Sequence, residues 1–183
     1  MAGAIDADGW LHQAERIPTS NFDTRASDEI CLVVIHAISL PPSEFGGNGV
    51  IEFFTNQLVP EAHPYFATIA GCHVSAHFFI RRNGHLIQFV SCLGRAWHAG
   101  MSCWQGRERC NDFSIGIELE GDDYSPFTAE QYATLNSLIA SLKVRFPLQA
   151  CVGHADVAPG RKTDPGPYFD WTRVIHPHAE RVA

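Results

Sequence analysis

The stretch from Gly153 to Pro167, GHADVAPGRKTDPGP, constrains this chain more than any other. Pro159, Pro165 and Pro167 lack the amide donor that a helix interior needs. Gly160 and Gly166 let the backbone turn sharply. The segment therefore reads as a stiff polar loop rather than a helix, a loop built to present side chains. It presents an imidazole (His154), a cation (Lys162) and a carboxylate (Asp164). Imidazole nitrogen and carboxylate oxygen are both zinc ligands, and a catalytic zinc takes three protein ligands and leaves one position open. A lone His and Asp in a Pro/Gly loop would ordinarily be plain surface residues, so the third ligand decides the matter. The best candidate is His36, at the exit of the apolar run Cys31-Leu32-Val33-Val34-Ile35. A histidine at the end of a buried strand is held in place. His63, His77 and His98 rank below it as ligands; His77 falls inside a strand, where a hydrogen-bonded core histidine is the expected state.

The length of 183 residues suits one domain, 1–183, with residues 1–30 as an N-terminal arm packed on it and holding little regular structure. The net charge is −7 and there is no Lys/Arg run, which argues against nucleic acid or an anionic membrane as partner. No apolar stretch approaches the ~18 residues a span requires. Asp6 and Asp8 near the N-terminus, with no apolar run, do not read as a signal peptide. The six cysteines (31, 72, 92, 103, 110, 151) show no paired metal spacing and are expected as reduced thiols in a cytoplasmic protein, Cys31 and Cys151 as core residues.

Strand and helix signals alternate. Residues 31–38 are continuous, apolar and β-branched, as in a strand covered on both faces. Residues 50–58 suggest a short helix, and 63–70 a loop or short helix with Tyr65 and Phe66 as an aromatic wall. Asn83-Gly84 predicts a two-residue hairpin turn between 74–82 and 85–90, beside the first strand. Residues 93–112, carrying Trp97, His98, Trp104, Arg107 and Arg109, show little regular pattern and read as one wall of a groove. Residues 113–121 alternate, with Ile115, Ile117 and Leu119 on one face and Gly116, Glu118 and Glu120 on the other. Thr128 and Gln131 form a capping box for a helix that Pro147 ends. Residues 150–153 form a strand leading into His154, and 169–175 a final helical turn. The fold class is α/β, a mixed central sheet flanked by helices.

Several blocks in one order carry a resemblance that covers nearly the whole chain: Val34-Ile35-His36, Ala62-His63-Pro64-Tyr65-Phe66-Ala67, Val74-Ser75-Ala76-His77, Arg95-Ala96-Trp97-His98-Ala99-Gly100, the run from Gln105 to Gly121, and Arg161-Lys162-Thr163-Asp164-Pro165-Gly166-Pro167. The sequence resembles the zinc-dependent N-acetylmuramoyl-L-alanine amidases, and among them the cytoplasmic branch acting on 1,6-anhydro muropeptides. The resemblance implies one Zn2+ per chain held by His36, His154 and Asp164, with Glu118 and Lys162 as catalytic groups. It implies a muropeptide as small-molecule substrate, in peptidoglycan recycling; a monomer is the expected state.

Glu118 and Glu120 share a strand face, so periodicity does not choose between them; the resemblance points to Glu118, and Glu120, next to the acidic turn Asp122-Asp123, is expected to meet solvent. Trp97 is a candidate for stacking on a sugar, Tyr65 for lining the same groove, His98 for a substrate contact and Arg109 for a peptide carboxylate. The alternatives are ordinary aromatic packing and a surface arginine. Ala37 and His73 depart from the family pattern, which has Asn and often Arg there, and bear on how the stem peptide is held. Two other readings compete: a peptidoglycan-recognition module that binds without cutting, and a zinc peptidase of another fold, for which the His-Glu-x-x-His helix is missing.

Overall fold

The protein is described from a computed structural model, over residues 3–25 and 29–175. In chain order the strands are β1 (Glu15–Arg16), β2 (Phe22–Thr24), β3 (Leu32–Ile38), β4 (Phe78–Ile80), β5 (Leu86–Gln88), β6 (Gly94–Ala96), β7 (Cys103–Trp104), β8 (Arg107–Glu108), β9 (Ser114–Glu120) and β10 (Ala150–Gly153). The helices are α1 (Gly49–Phe54), α2 (Pro64–Ile69), α3 (Ala129–Arg145) and the single turn α4 (His154–Val157). Six strands form one sheet in the order β1-β5-β4-β9-β3-β10. β10, β3, β9 and β4 run parallel, and β5 is antiparallel to β4. This is the mixed, helix-flanked α/β sheet that the sequence predicts.

Alternation along the two central strands separates core from site. Val33 and Ile35 of β3, and Ile115, Ile117 and Leu119 of β9, join one apolar cluster with Tyr132, Leu135, Leu138, Ile139 and Leu142 of α3. Full burial of each such side chain is worth about 1.5–3 kcal/mol. The alternate residues point to the opposite side, where Leu32 and Val34 pack with Ala99, Phe113 and Val157. His36 of β3 lies opposite Glu118 of β9 in the register, and Ile35 opposite Gly153, the last residue of β10. His36, Glu118 and His154 are thus gathered at the carboxyl ends of three parallel strands, where open α/β sheets bind ligands. At α3, Thr128 Oγ1 accepts from Gln131 N and Gln131 Oε1 accepts from Thr128 N, both at 3.1 Å, completing the expected capping box.

Several expectations need correction. The N-terminal arm is more regular than its composition suggests: β1 pairs with β5 and β2 with β6. Strands this short carry no readable periodicity. Arg25, in the same arm, is buried and donates to the carbonyls of Asn111 (2.8 Å) and Ser114 (2.7 Å), and burial pushes its pKa down to about 10. α1 stops earlier than predicted, with Asn56 in the left-handed region at φ 60°. The hairpin turn spans Arg81 to Gly84, closed by Gly84 N donating to Arg81 O (2.9 Å), and only Gly84, at φ 80°, takes a positive φ. The hairpin joins β9, which separates it from β3. Finally, the loop that opens at Gly153 begins with the helical turn α4, which ends before Pro159 can interfere.

Candidate active site

Backbone geometry brings the ends of the Gly153–Pro167 loop together. Ala155 N, an otherwise unpaired donor in the first turn of α4, donates to Asp164 O at 2.9 Å. Gly153 N donates to Asp156 Oδ2 at 2.7 Å, and Lys162 N to Ala158 O at 3.1 Å. These ties fold the loop back so that Asp164 faces His154. His154 Nδ1 lies 3.0 Å from Asp164 Oδ2, His36 Nδ1 lies 3.1 Å from the same oxygen, and the two Nδ1 atoms are 2.9 Å apart. Among the described residues, this trio is the one group of His, Cys, Asp or Glu side chains placed to hold a metal ion.

The electrostatics are those of a largely buried cluster. Burial pushes the His36 imidazole down to about 4, against the pull of Asp164. Burial also opposes a charge on Asp164, but its contacts with His154 and His36 outweigh that and hold the carboxyl well below the ordinary range. Burial pushes the Glu118 carboxyl well above its ordinary value; the Asp164 charge adds to this and Lys162 opposes it. Glu118 Oε2 is buried and has no hydrogen-bond partner among the described residues.

The cluster lines a groove of about 570 Å³, together with Tyr65, Trp97, Glu118 and Lys162 among others. His98 also reaches it but is only 9% exposed and stands behind His36. Trp97 is anchored by its amide donating to Ser75 Oγ at 3.0 Å. Ala37 lines the groove, whereas His73 lies off it, 3.0 Å from Asn56 Oδ1. Arg109 is not brought to the groove: its side chain is 70% exposed and pairs with Asp112 at 3.1 Å. Arg107 is turned away as well, over the Phe113 ring and paired with Glu29. Of the segment 93–112, only the part around Trp97 and His98 forms a wall. His77 is the core histidine the sequence predicts, its Nδ1 accepting from Gly116 N at 3.0 Å, while His63 caps α2 through Tyr65 N.

Glu120 contradicts its expectation. It is 3% exposed, less than Glu118 at 8%, and its carboxylate accepts from Gly46 N (2.5 Å) and Arg82 N (2.9 Å). A loop from each side closes over the end of β9, and sequence distance gives no sign of that.

Sequence reasoning also missed three residues around the site. Asn111 Oδ1 accepts from the amides of His98 (3.3 Å) and Ala99 (2.8 Å). Ala99 O accepts from His154 Nε2 at 3.2 Å and from Arg161 at 2.7 Å. Nothing in spacing or composition marks them, because their partners are more than ten positions away in the chain.

The fold and this cluster fit an amidase. The chain belongs to the N-acetylmuramoyl-L-alanine amidase family, whose model matches residues 26–167. It is similar to the 1,6-anhydro-N-acetylmuramyl-L-alanine amidase AmpD of Citrobacter freundii, at 54% identity over 169 residues, covering 91% of this chain and 90% of that protein. A crystal structure of a selenomethionine AmpD derivative superposes with TM-score 0.87 at 53% identity, covering 91% of this chain and 94% of the other. Escherichia coli AmiD, in complex with its substrate anhydro-N-acetylmuramic acid-L-Ala-D-γ-Glu-L-Lys, matches with TM-score 0.57 at 29% identity over 93% of this chain and 64% of its own.

Proposed function

We propose that the protein is a zinc amidase that cleaves the amide between the lactyl carbonyl of 1,6-anhydro-N-acetylmuramic acid and L-alanine of the stem peptide, in cytoplasmic peptidoglycan recycling. The observation that carries this reading is the convergence of His36 Nδ1, His154 Nδ1 and Asp164 Oδ2 on a groove also lined by Glu118, whose Oε2 has no hydrogen-bond partner among the described residues. The donor set fits zinc. Ligand atoms of a tetrahedral site with bonds of 2.0–2.1 Å stand about 3.3 Å apart, and here they stand 2.9–3.1 Å apart. His154 Nε2 donates to Ala99 O, which leaves Nδ1 with a lone pair, and such a partner is usual behind a ligating histidine.

Zinc bound there supplies a Lewis acid for the scissile carbonyl and lowers the pKa of a water from about 16 to about 7. Glu118 takes the proton of the attacking water and hands it to the leaving amine of L-alanine. Its pKa, raised by burial, suits a group that must hold a proton as well as release it. Lys162 donates to the developing oxyanion, a contribution typically of about 3 kcal/mol. Trp97 and Tyr65 offer aromatic surface to the muropeptide; Arg109 would serve only a portion of substrate reaching beyond the groove. All of these groups lie on one chain, so the proposed site needs no residue from a second copy. All six cysteines are free, as a reducing compartment keeps them. No helix among the described residues is long and apolar enough to cross a membrane.

The test is to give the purified protein soluble anhydro-muropeptide and intact sacculi, with and without chelator, and to read products by mass. Release of the intact stem peptide from the soluble substrate, abolished by chelator and restored by zinc, is expected. Comparable turnover of sacculi contradicts the proposed substrate, and binding without release would favour a recognition module.

A further inference from the structure

Behind His36 stands a second layer whose hydrogen-bond directions follow from chemistry alone. Ser114 Oγ lies 2.5 Å from Cys110 O, and a carbonyl only accepts, so the hydroxyl proton belongs to that contact. His98 Nε2 lies 3.2 Å from the same Oγ, whose proton is thereby spent, so His98 Nε2 must be the donor. A neutral ring carries one proton, and His98 is a buried ring, so its Nδ1 is bare. His98 Nδ1 lies 3.0 Å from His36 Nε2, which must then donate. The proton of His36 is fixed on Nε2, and its Nδ1 lone pair faces His154 and Asp164. The Cys110 carbonyl thus selects, through Ser114 and His98, which nitrogen of His36 is free.

The relay is seated as well as bonded. Gly116 of β9 lies under the His98 ring, and a Cβ there would run into it. Asn111 clamps the amides of both His98 and Ala99. Ala99 O in turn accepts from His154 Nε2. One dipeptide, His98-Ala99, therefore backs both histidines of the cluster.

We propose that His98 is a positioning residue, not a substrate contact: with Ser114 it sets the tautomer of His36 and presents the Nδ1 lone pair to the metal. This rests on the zinc reading above for its purpose, but the tautomer itself does not depend on metal. Two measurements test it on the full-length chain: imidazole 15N spectra of metal-free protein, and zinc affinity by chelator competition. Wild type should show His36 protonated on Nε2 and bare at Nδ1. In His98→Phe the acceptor is gone; the His36 proton should move toward Nδ1, facing Asp164, and zinc affinity should fall about 10–100-fold. His98→Asn keeps an acceptor at the δ position and should restore both. A folded His98→Phe with the wild-type His36 tautomer and unchanged zinc affinity overturns the proposal. Should His98→Phe fail to fold, Ser114→Ala is read the same way, with a mixed His36 tautomer expected and an unchanged one overturning. Wild-type protein with the expected spectra but no zinc binding would sink the zinc reading and leave the relay standing.

Discussion

Glu118 and Glu120 are the same residue type on the same face of the same strand, two positions apart, and both are buried. Glu120 is tied at both carboxylate oxygens, by Gly46 N and Arg82 N. Glu118 has a buried oxygen with no partner among the described residues and faces the groove. A buried carboxylate left without hydrogen bonds costs free energy, so a fold that needed only burial would not leave one. The tied acid closes two loops over the strand end. On the proposed reading, the untied one is the group that takes a proton from outside the protein. Burial alone does not separate the two roles; satisfaction of hydrogen bonds does.

The sharpest way to break that contrast is to remove each acid in turn. Glu118→Ala should lose on the order of 10²-fold or more in kcat, the scale of general acid–base catalysis, while keeping its zinc, since Glu118 is not a ligand. Loss of zinc would instead make Glu118 a ligand. Glu120→Ala should stay within several-fold of wild type in kcat but lose about 1–3 kcal/mol of stability, because two part-buried backbone amides lose a charged acceptor. Denaturant melts beside steady-state kinetics read both at once, and the reverse pattern would transfer the catalytic role to Glu120.

The smallest effect per group concerns the histidines. Burial keeps His36, His77 and His98 neutral when folded, His36 down to about 4 and the others well below the ordinary imidazole value. The unfolded chain takes up protons at these rings below about pH 6.5 and the folded chain does not, so the unfolded state is favoured as pH falls. Stability of the metal-free protein should be at its plateau above about pH 6.5 and fall toward pH 4, by on the order of 1 kcal/mol per imidazole for the first pH unit. A flat profile between pH 7 and 5 would show that these rings are not held neutral.

Much of this was legible in the sequence because the physics is local. The β-branched run of β3, the Ile/Leu alternation of β9, the Thr128 capping box and the Pro-rich loop each carry their own signal. The juxtaposition of His36 with His154 is nearly as direct, since both sit at the ends of neighbouring parallel strands. What stayed hidden is long-range. Glu120 is buried by Gly46 and Arg82, which come from two separate loops. Arg109 sits in the segment read as a groove wall yet turns outward to Asp112. His98 faces the groove by sequence logic but stands behind His36 through Ser114 and Gly116. In each case the deciding partner is fixed by tertiary closure, which spacing does not encode.

The central claim is that His36, His154 and Asp164 hold a single zinc on which turnover depends. Titrating zinc into metal-stripped protein while following release of stem peptide from anhydro-muropeptide tests it most directly, with Asp164→Ala as the control. Activity should rise in proportion to zinc and level off at one equivalent, and Asp164→Ala should bind zinc weakly and stay near background. Full activity in stripped protein, or full zinc content and activity in Asp164→Ala, would contradict the account.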